Sequence, residues 1–211
     1  MCAVLLGVAI APRGAEAQGS ASAGQLRALG PLTAMSAEVQ TRLALSSAPP
    51  EVSSRASVYV LGGAGYTRTR VGTNGFSCLI EREFLETVEP VCYDAEGSAT
   101  TLLARLYREQ LRARALSEAE VRRRIEAAYR AGRFRAPRKP GLVYMLAPEQ
   151  RSWNPGTKSI FQAGPHFMLY APFATQADVG GSLGPNMPVV VWPGRPDALI
   201  IVMALHDAHG R

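Results

Sequence analysis

Residues 57–82 have the sequence SVYVLGGAGYTRTRVGTNGFSCLIER, in which apolar and polar residues alternate over short runs. An alternation with a period of two indicates strands that bury one face. Turn-forming residues interrupt it twice, at the glycine-rich 62–65 and at the pair Asn74-Gly75. The stretch therefore predicts three short strands, at 57–61, 66–71 and 76–82.

The pair Asn74-Gly75 predicts a hairpin between the second and third of these strands. A two-residue type I′ turn needs positive φ at both central positions, which Asn and Gly tolerate best. Counting outward from that turn sets Val71 opposite Cys78 and Arg68 opposite Glu81, as an exposed ion pair. We expect one face to enter the core and the other to contact solvent; the core face carries Val71, Phe76, Cys78 and Ile80, and the solvent face carries Arg68, Arg70 and Glu81.

Helical periodicity recurs in three segments. Leu32, Met35, Val39 and Leu43 predict an amphipathic helix over about 33–47. Four leucines, Leu102, Leu103, Leu106 and Leu111, form a stripe that predicts a second helix over about 98–114. A third helix begins at Ser117, which forms a capping box with Glu120, and ends before Gly132.

The last third of the chain returns to strands. Apolar runs rich in β-forming residues occur at 141–147, 166–171, 189–192 and 198–204, with a long loop at 148–164. Strands, then helices, then strands indicate an α+β fold with a mostly antiparallel sheet built from hairpins. We expect the N-terminal helix and a basic helical hairpin to cover that sheet.

The N-terminus has the pattern of a signal peptide. Cys2–Ala11 is an uncharged apolar run, and Ala15-Glu16-Ala17 has the small-x-small form of a cleavage site. The run is too short to span a bilayer. The sequence thus predicts an exported protein, periplasmic or secreted, cleaved near Ala17. It further predicts a signal peptide at 1–17, a disordered leader at 18–32, a single domain at 33–205 and a flexible tail at 206–211.

Two cysteines remain once Cys2 leaves with the signal peptide. Cys78 and Cys92 are an even pair in an oxidising compartment, which predicts a disulfide. Closing a loop of about 15 residues is worth on the order of 3 kcal/mol. The spacing does not match the CxxC pattern of redox or zinc sites.

The net charge of +6 is concentrated in one segment. Between Arg105 and Lys139 there are twelve basic residues and four acidic ones. This segment predicts either a solvated helical face or a patch for an anionic envelope component. The patch would use Arg105, Arg108, Arg112, Arg122 and Arg123. Aromatic stacking positions are few, so nucleic acid is not expected as a partner.

Candidate catalytic residues are few. His166 begins an apolar strand after the 148–164 loop, a setting in which a general base can act, with Asp94 or Tyr170 as helpers. No Gly-x-Ser-x-Gly motif supplies a nucleophile. The glycines at 62–65 lack the lysine and the following helix of a phosphate-binding loop, so we expect a turn.

No metal site or cofactor is expected from the sequence. His206 and His209 lie too near the end of the chain to form a rigid metal site. Met145, Met168, Met187 and Met203 occur in or beside apolar runs without ligand spacing, which predicts core packing. The sequence therefore points to neither a metalloenzyme nor a cofactor-dependent one.

Three stretches resemble a group of uncharacterised exported bacterial proteins. They are GTNGFSCLIER at 72–82, EPVCYDAEG at 89–97 and PHFMLYAP at 165–172. The resemblance implies export and a single domain, and it implies no activity. The leading functional prediction is a non-catalytic binding or envelope-associated module. The alternative is a hydrolase that uses His166 near the 148–164 loop.

Overall fold

The computed structural model describes residues 31–84, 86–154, 159–182 and 187–203. The predicted signal peptide, most of the leader, and the C-terminal tail lie outside these residues. Leu32 is described, and it is fully buried in a 3-10 turn, Leu32–Ala34, that packs into the core. The predicted leader boundary at 32 is therefore wrong, because Leu32 belongs to the folded domain.

Eight strands form one sheet in the order β2-β1-β3-β4-β5-β8-β10-β9. Every neighbouring pair is antiparallel except β1 and β3, which are parallel. β6 and β7 form a separate hairpin inside the predicted 148–164 loop. The strands are β1 (Ser57–Gly62), β2 (Gly65–Arg70), β3 (Ser77–Glu81), β4 (Glu89–Tyr93), β5 (Leu142–Met145), β6 (Ser152–Asn154), β7 (Ser159–Phe161), β8 (His166–Tyr170), β9 (Val189–Val191) and β10 (Leu199–Met203).

Five α-helices within the described residues complete the α+β fold, which confirms the predicted fold class. They are α1 (Ala37–Leu45), α2 (Pro50–Ser53), α3 (Ala95–Ala99), α4 (Thr101–Arg112) and α5 (Glu118–Arg130). Their ends follow local signals: the Ser36 and Ser117 hydroxyls cap α1 and α5, and Gly132 has the positive φ expected after α5. None of the helices in the described ranges is long and apolar enough to cross a membrane.

The sheet has two differently covered faces. On one face α1 packs over β1, β3 and β4, where Leu43 contacts a core that includes Ile80 and the cysteines. On the other face Leu102 of α4 packs with Leu79, Val91 and further apolar residues of the central strands. α5 packs outside α4 through Val121, Ile125 and Ala128. The helices α4 and α5 thus form the predicted hairpin, with α4 as a layer on the sheet and α5 as a further layer on α4.

The predicted hairpin between β2 and β3 is wrong. Gly63 and Ala64 close a tight turn between β1 and β2, and Gly62 pairs with Gly65. β1 then lies between β2 and β3, because Ser57 and Val58 pair with Ser77 and Cys78. The Asn74 side chain binds Val52 O and Phe76 N instead of forming a two-residue loop. Among residues assigned to faces, Val71 is 71% exposed rather than buried.

The predicted disulfide is present between Cys78 and Cys92. The two cysteines are directly opposite each other in the antiparallel pair β3–β4. β4 itself was not predicted from the sequence. The bond therefore joins adjacent strands at the centre of the sheet, under α1.

Candidate binding pocket and arginine network

The arginines of α4 face the sheet rather than solvent. Arg105 is 2% exposed, Arg108 is buried, and the side chain of Arg112 is largely covered. We call their ion-paired cluster the arginine network; it comprises Arg82, Arg105, Arg108 and Arg112 with Glu81, Glu83, Glu109, Glu118 and Asp197. The predicted anion patch at Arg105, Arg108 and Arg112 is wrong, because carboxylates from the chain already neutralise these side chains.

Arg105 is the most buried member of the network. Its Nη1 donates to Asp197 Oδ2 at 2.8 Å, and its guanidinium lies 3.7 Å from the centre of the Trp192 ring. Burial by itself lowers the pKa of Arg105, but the neighbouring Asp197, Tyr93 and Glu81 outweigh burial and raise it. The side chain is therefore a fixed cation inside the fold.

The other network arginines tie α4 to the end of β3. Arg82 donates two hydrogen bonds to Glu109 Oε2, at 3.0 and 2.7 Å. Arg112 donates to the carbonyls of Arg82 and Glu83 and to both oxygens of Glu118. Glu81, which was predicted to be exposed opposite Arg68, is buried and accepts a hydrogen bond from the Tyr93 hydroxyl at 2.5 Å. That prediction is wrong because helix α4 covers this face of β3.

Glu89 lies beside the arginine network. Among the described residues, no arginine lies within ion-pair distance of its carboxyl group. It lies opposite Glu81 in the β3–β4 pair, and its Oε2 accepts a hydrogen bond from Glu83 N at 3.1 Å. Burial raises the pKa of Glu89 to about 7, and the charges of Glu81 and Glu83 add to the shift, while a hydrogen bond with Ser152 opposes it. Glu89 thus binds a proton near neutral pH.

A pocket of about 560 Å³ lies between α5 and the turn that joins β9 to β10. Its volume is within the range of small-molecule sites, roughly 300–1,000 Å³. The residues that give the pocket its chemistry are Tyr129, Arg130, Phe134, Arg135, Phe173 and Arg195. Three arginines therefore surround a surface that also presents aromatic rings.

The charges of the pocket are only partly compensated. Arg195 is held by Asp197 through contacts of 3.0 and 3.2 Å. Arg130 and Arg135 are exposed and form no ion pair with any residue that the structure describes. Glu126 is the acidic residue of the lining. The pocket thus keeps an excess of positive charge.

Tyr129 supplies a polar group without a partner. Its hydroxyl is buried and makes no hydrogen bond within the described part of the chain. Burial raises the pKa of Tyr129, Asp197 adds to the shift, and Arg105 and Arg195 oppose it. The phenol therefore stays protonated at neutral pH, as a donor without a partner.

An unusual backbone conformation occurs in one wall of the pocket. Phe173, which lines the pocket, has φ 66°, and Trp192, two residues before the lining residue Gly194, has φ 53°, although neither is glycine. Hydrogen bonds from Phe173 N to Arg195 O and from Gly194 N to Ala174 O join the two loops, both at 2.8 Å. Such conformations cost about 1–3 kcal/mol each and cluster at ligand sites. The wall is consistent with a binding function.

Asp94 and Tyr170, the predicted helpers of His166, contact each other and lie away from it. The Tyr170 hydroxyl donates to Asp94 Oδ1 at 2.9 Å, while Asp94 also caps α3 and accepts from Leu142 N. His166 is at the opposite end of β8, roughly 13 Å away at about 3.3 Å per residue. A Cβ on Gly97 would overlap the Tyr170 ring, so the contact is tightly packed. The pair is a structural hydrogen-bond cluster.

His166 is buried and has one hydrogen bond in the described structure, between Nδ1 and Gly164 O at 2.7 Å. Burial lowers the pKa of His166, and the bond to Gly164 opposes that shift. No carboxylate or hydroxyl from the described residues bonds the imidazole. The geometry gives the hydrolase alternative no acid, base or nucleophile arrangement around His166.

The remaining candidates are accounted for as follows. No three His, Cys, Asp or Glu side chains of the described residues are grouped to hold a metal ion, and His206 and His209 lie outside those residues. Met145 and Met168 pack in the core, as predicted. Arg122 and Arg123 are exposed on α5, with Arg123 paired to Glu120.

The sequence reasoning missed the pocket residues on both walls. Arg130 and Arg135 belonged to the basic segment but were not singled out, and Arg195 lies between the two apolar runs 189–192 and 198–204. One signal was present: Arg105 and Arg112 are three and ten positions after Leu102, so they share its buried helical face. That spacing would have removed them from a surface patch.

Comparison of the chain with protein-family models, with curated proteins and with solved structures finds no match. The fold and the site are therefore interpreted from their own geometry.

Proposed function

We propose that this chain is an exported, non-catalytic binding protein whose pocket between α5 and the β9–β10 turn holds an anionic ligand of the cell envelope. The observation that carries the proposal is that one pocket is lined by two arginines without ion pairs, Arg130 and Arg135, and by Tyr129, whose hydroxyl has no partner among the described residues. Export is supported by the apolar N-terminal run and by a disulfide of the kind that oxidising compartments favour.

The chemistry of the lining indicates the ligand class. Guanidinium groups bind phosphate through paired N–H donors, and an additional phenol donor suits a group with several acceptor oxygens. Phe134 and Phe173 offer apolar surface next to these donors. The ligand is therefore a phosphate-bearing amphiphile, with its headgroup on the arginines and its apolar portion on the two rings.

The test uses the full chain and vesicles of phosphatidylcholine with or without phosphatidylglycerol, together with soluble glycerol phosphate in a calorimetric titration. We expect the double variant Arg130→Gln/Arg135→Gln to weaken binding to the anionic vesicles at least tenfold, since both uncompensated charges are lost. Tyr129→Phe should weaken binding a few-fold without loss of thermal stability, because the hydroxyl has no partner to lose.

The matched control is Arg122→Gln/Arg123→Gln, which removes the same number of charges from exposed positions of α5 that lie outside the pocket. This control should leave binding within about twofold of wild type. Equal losses in both double variants would contradict a specific site and would indicate general attraction to a basic surface. Binding of glycerol phosphate without vesicles would identify the headgroup alone as sufficient.

A further inference from the structure

One half of a sheet face keeps a large apolar surface. α1 covers β1, β3 and β4 on this face, and beyond them Phe167, Leu169 and Val202 are 37, 43 and 44% exposed. We call this surface the open face; it consists of Leu142, Tyr144, Phe167, Leu169, Ile200 and Val202 on β5, β8 and β10. It is on the opposite side of the sheet from the arginine network.

The register of the strands makes the open face continuous. Leu142, Leu169 and Ile200 form one cross-strand row. Tyr144, Phe167 and Val202 form the next row. Polar side chains normally occupy such positions when an antiparallel sheet meets water. A contiguous apolar patch of this kind marks an interaction site.

The dimensions of the open face match one α-helix. Three strands spaced about 4.8 Å apart span roughly 14 Å, and a helix with its side chains is about 10–12 Å wide. Tyr144 lies at the boundary with the covered half, 6.2 Å from the Phe76 ring between centroids. On the other side Val190, which continues the row of Ile200, is buried again. A helix centred over β8 would lie three strand spacings, roughly 14 Å, from α1, which is centred over β3.

The size of the surface argues against a second copy of the chain as occupant. A stable symmetric pair buries about 800 Å² on each partner, whereas six partly exposed side chains offer on the order of a few hundred Å². With residues 1–17 removed, as proposed for an exported chain, the segments 18–30 and 204–211 have too few large apolar residues to cover it. We propose that the open face binds an amphipathic α-helix of a partner protein, which lies over β8 on the same side of the sheet as α1.

The test measures binding of a synthetic amphipathic peptide of about 18 residues, with leucine at every third or fourth position and Glu and Lys elsewhere. The full chain is titrated into labelled peptide, and anisotropy is recorded. We expect micromolar binding that Leu169→Asp weakens at least tenfold and Val202→Asp weakens similarly. A peptide of equal composition with the stripe scrambled should not bind.

Leu103→Asp is the matched control, because Leu103 is 42% exposed on α4 and lies away from the open face. It should bind the peptide as wild type does, and thermal melts should show that all variants fold. Three outcomes would overturn the proposal. They are no binding by wild type, equal loss in Leu103→Asp, or concentration-dependent dimers that Leu169→Asp abolishes.

Discussion

Arg105 and Arg130 are 25 positions apart on adjacent helices, yet they have opposite environments. Arg105 is buried against Trp192 and paired with Asp197, whereas Arg130 is exposed at the pocket and meets no carboxylate among the described residues within ion-pair distance. A buried charge must be neutralised by the fold itself, because its desolvation is costly. An exposed charge without a partner remains available to a ligand. The charge density of a segment therefore does not indicate which arginines can bind.

Removing Asp197 should have the largest effect, because its carboxylate contacts both Arg105 in the network and Arg195 at the pocket. Burial alone would raise the pKa of Asp197, but Arg105 and Arg195 lower it, so the carboxylate is charged at neutral pH. Asp197→Ala removes the hydrogen-bonded carboxylate of buried Arg105 and leaves it only the longer 3.7 Å contact with Glu81, so we expect the free energy of unfolding to fall by about 3–5 kcal/mol in urea denaturation. The control Asp178→Ala removes an exposed carboxylate and should cost much less stability. Equal losses in the two variants would contradict the network.

The same substitution, arginine to lysine, should have different effects on stability at Arg105 and at Arg130. Arg105→Lys loses the planar contact with Trp192 and the fixed geometry toward Asp197, so we expect a loss of about 2 kcal/mol. Arg130→Lys should change stability by less than about 0.5 kcal/mol, since its surroundings are solvent. Thermal and urea melts of the two variants check this. Equal effects would mean that burial does not distinguish the two arginines.

The smallest expected effect on stability is the pH dependence due to Glu89, a carboxyl without an arginine partner among the described residues. Its pKa in the folded protein is about 7, above the value of the unfolded chain, so the folded state holds the extra proton. The resulting stabilisation is fully present below pH 4 and is lost as the pH rises through 7. Because Glu89 is partly exposed, we expect a change of about 1–2 kcal/mol between pH 5 and 8. Glu89→Gln should flatten that part of the stability profile, and an unchanged slope would contradict it.

The features that could be predicted from the sequence are those that depend on residues close together in the chain. The ends of α5 follow from Ser117 and Gly132, and the stripe of α1 follows from its spacing. β4 was not predicted because it begins with Glu89-Pro90, and proline argues against a strand. Pro90 is tolerated in β4 because β5 pairs only with Cys92 and Tyr93. The parallel pairing of β1 with β3 was also not predicted, since the local turn signal at Asn74-Gly75 favoured a hairpin.

The candidate site was harder to predict because its residues come from distant parts of the chain. Phe173 and Arg195 form one wall, and α5 forms the other. Whether an arginine is buried with a carboxylate or left free depends on that long-range arrangement. Helical spacing could have excluded Arg105 from the surface, but only the tertiary fold assigns Arg135 to a pocket.

The contact between Arg105 and Asp197 joins residues 92 positions apart, and it determines when folding can finish. As the chain emerges, α4 appears long before the carboxylate that neutralises its buried arginine. The helix therefore cannot dock stably on the sheet until β10 has arrived. A chain shortened before residue 197 should stay unfolded and sensitive to proteases.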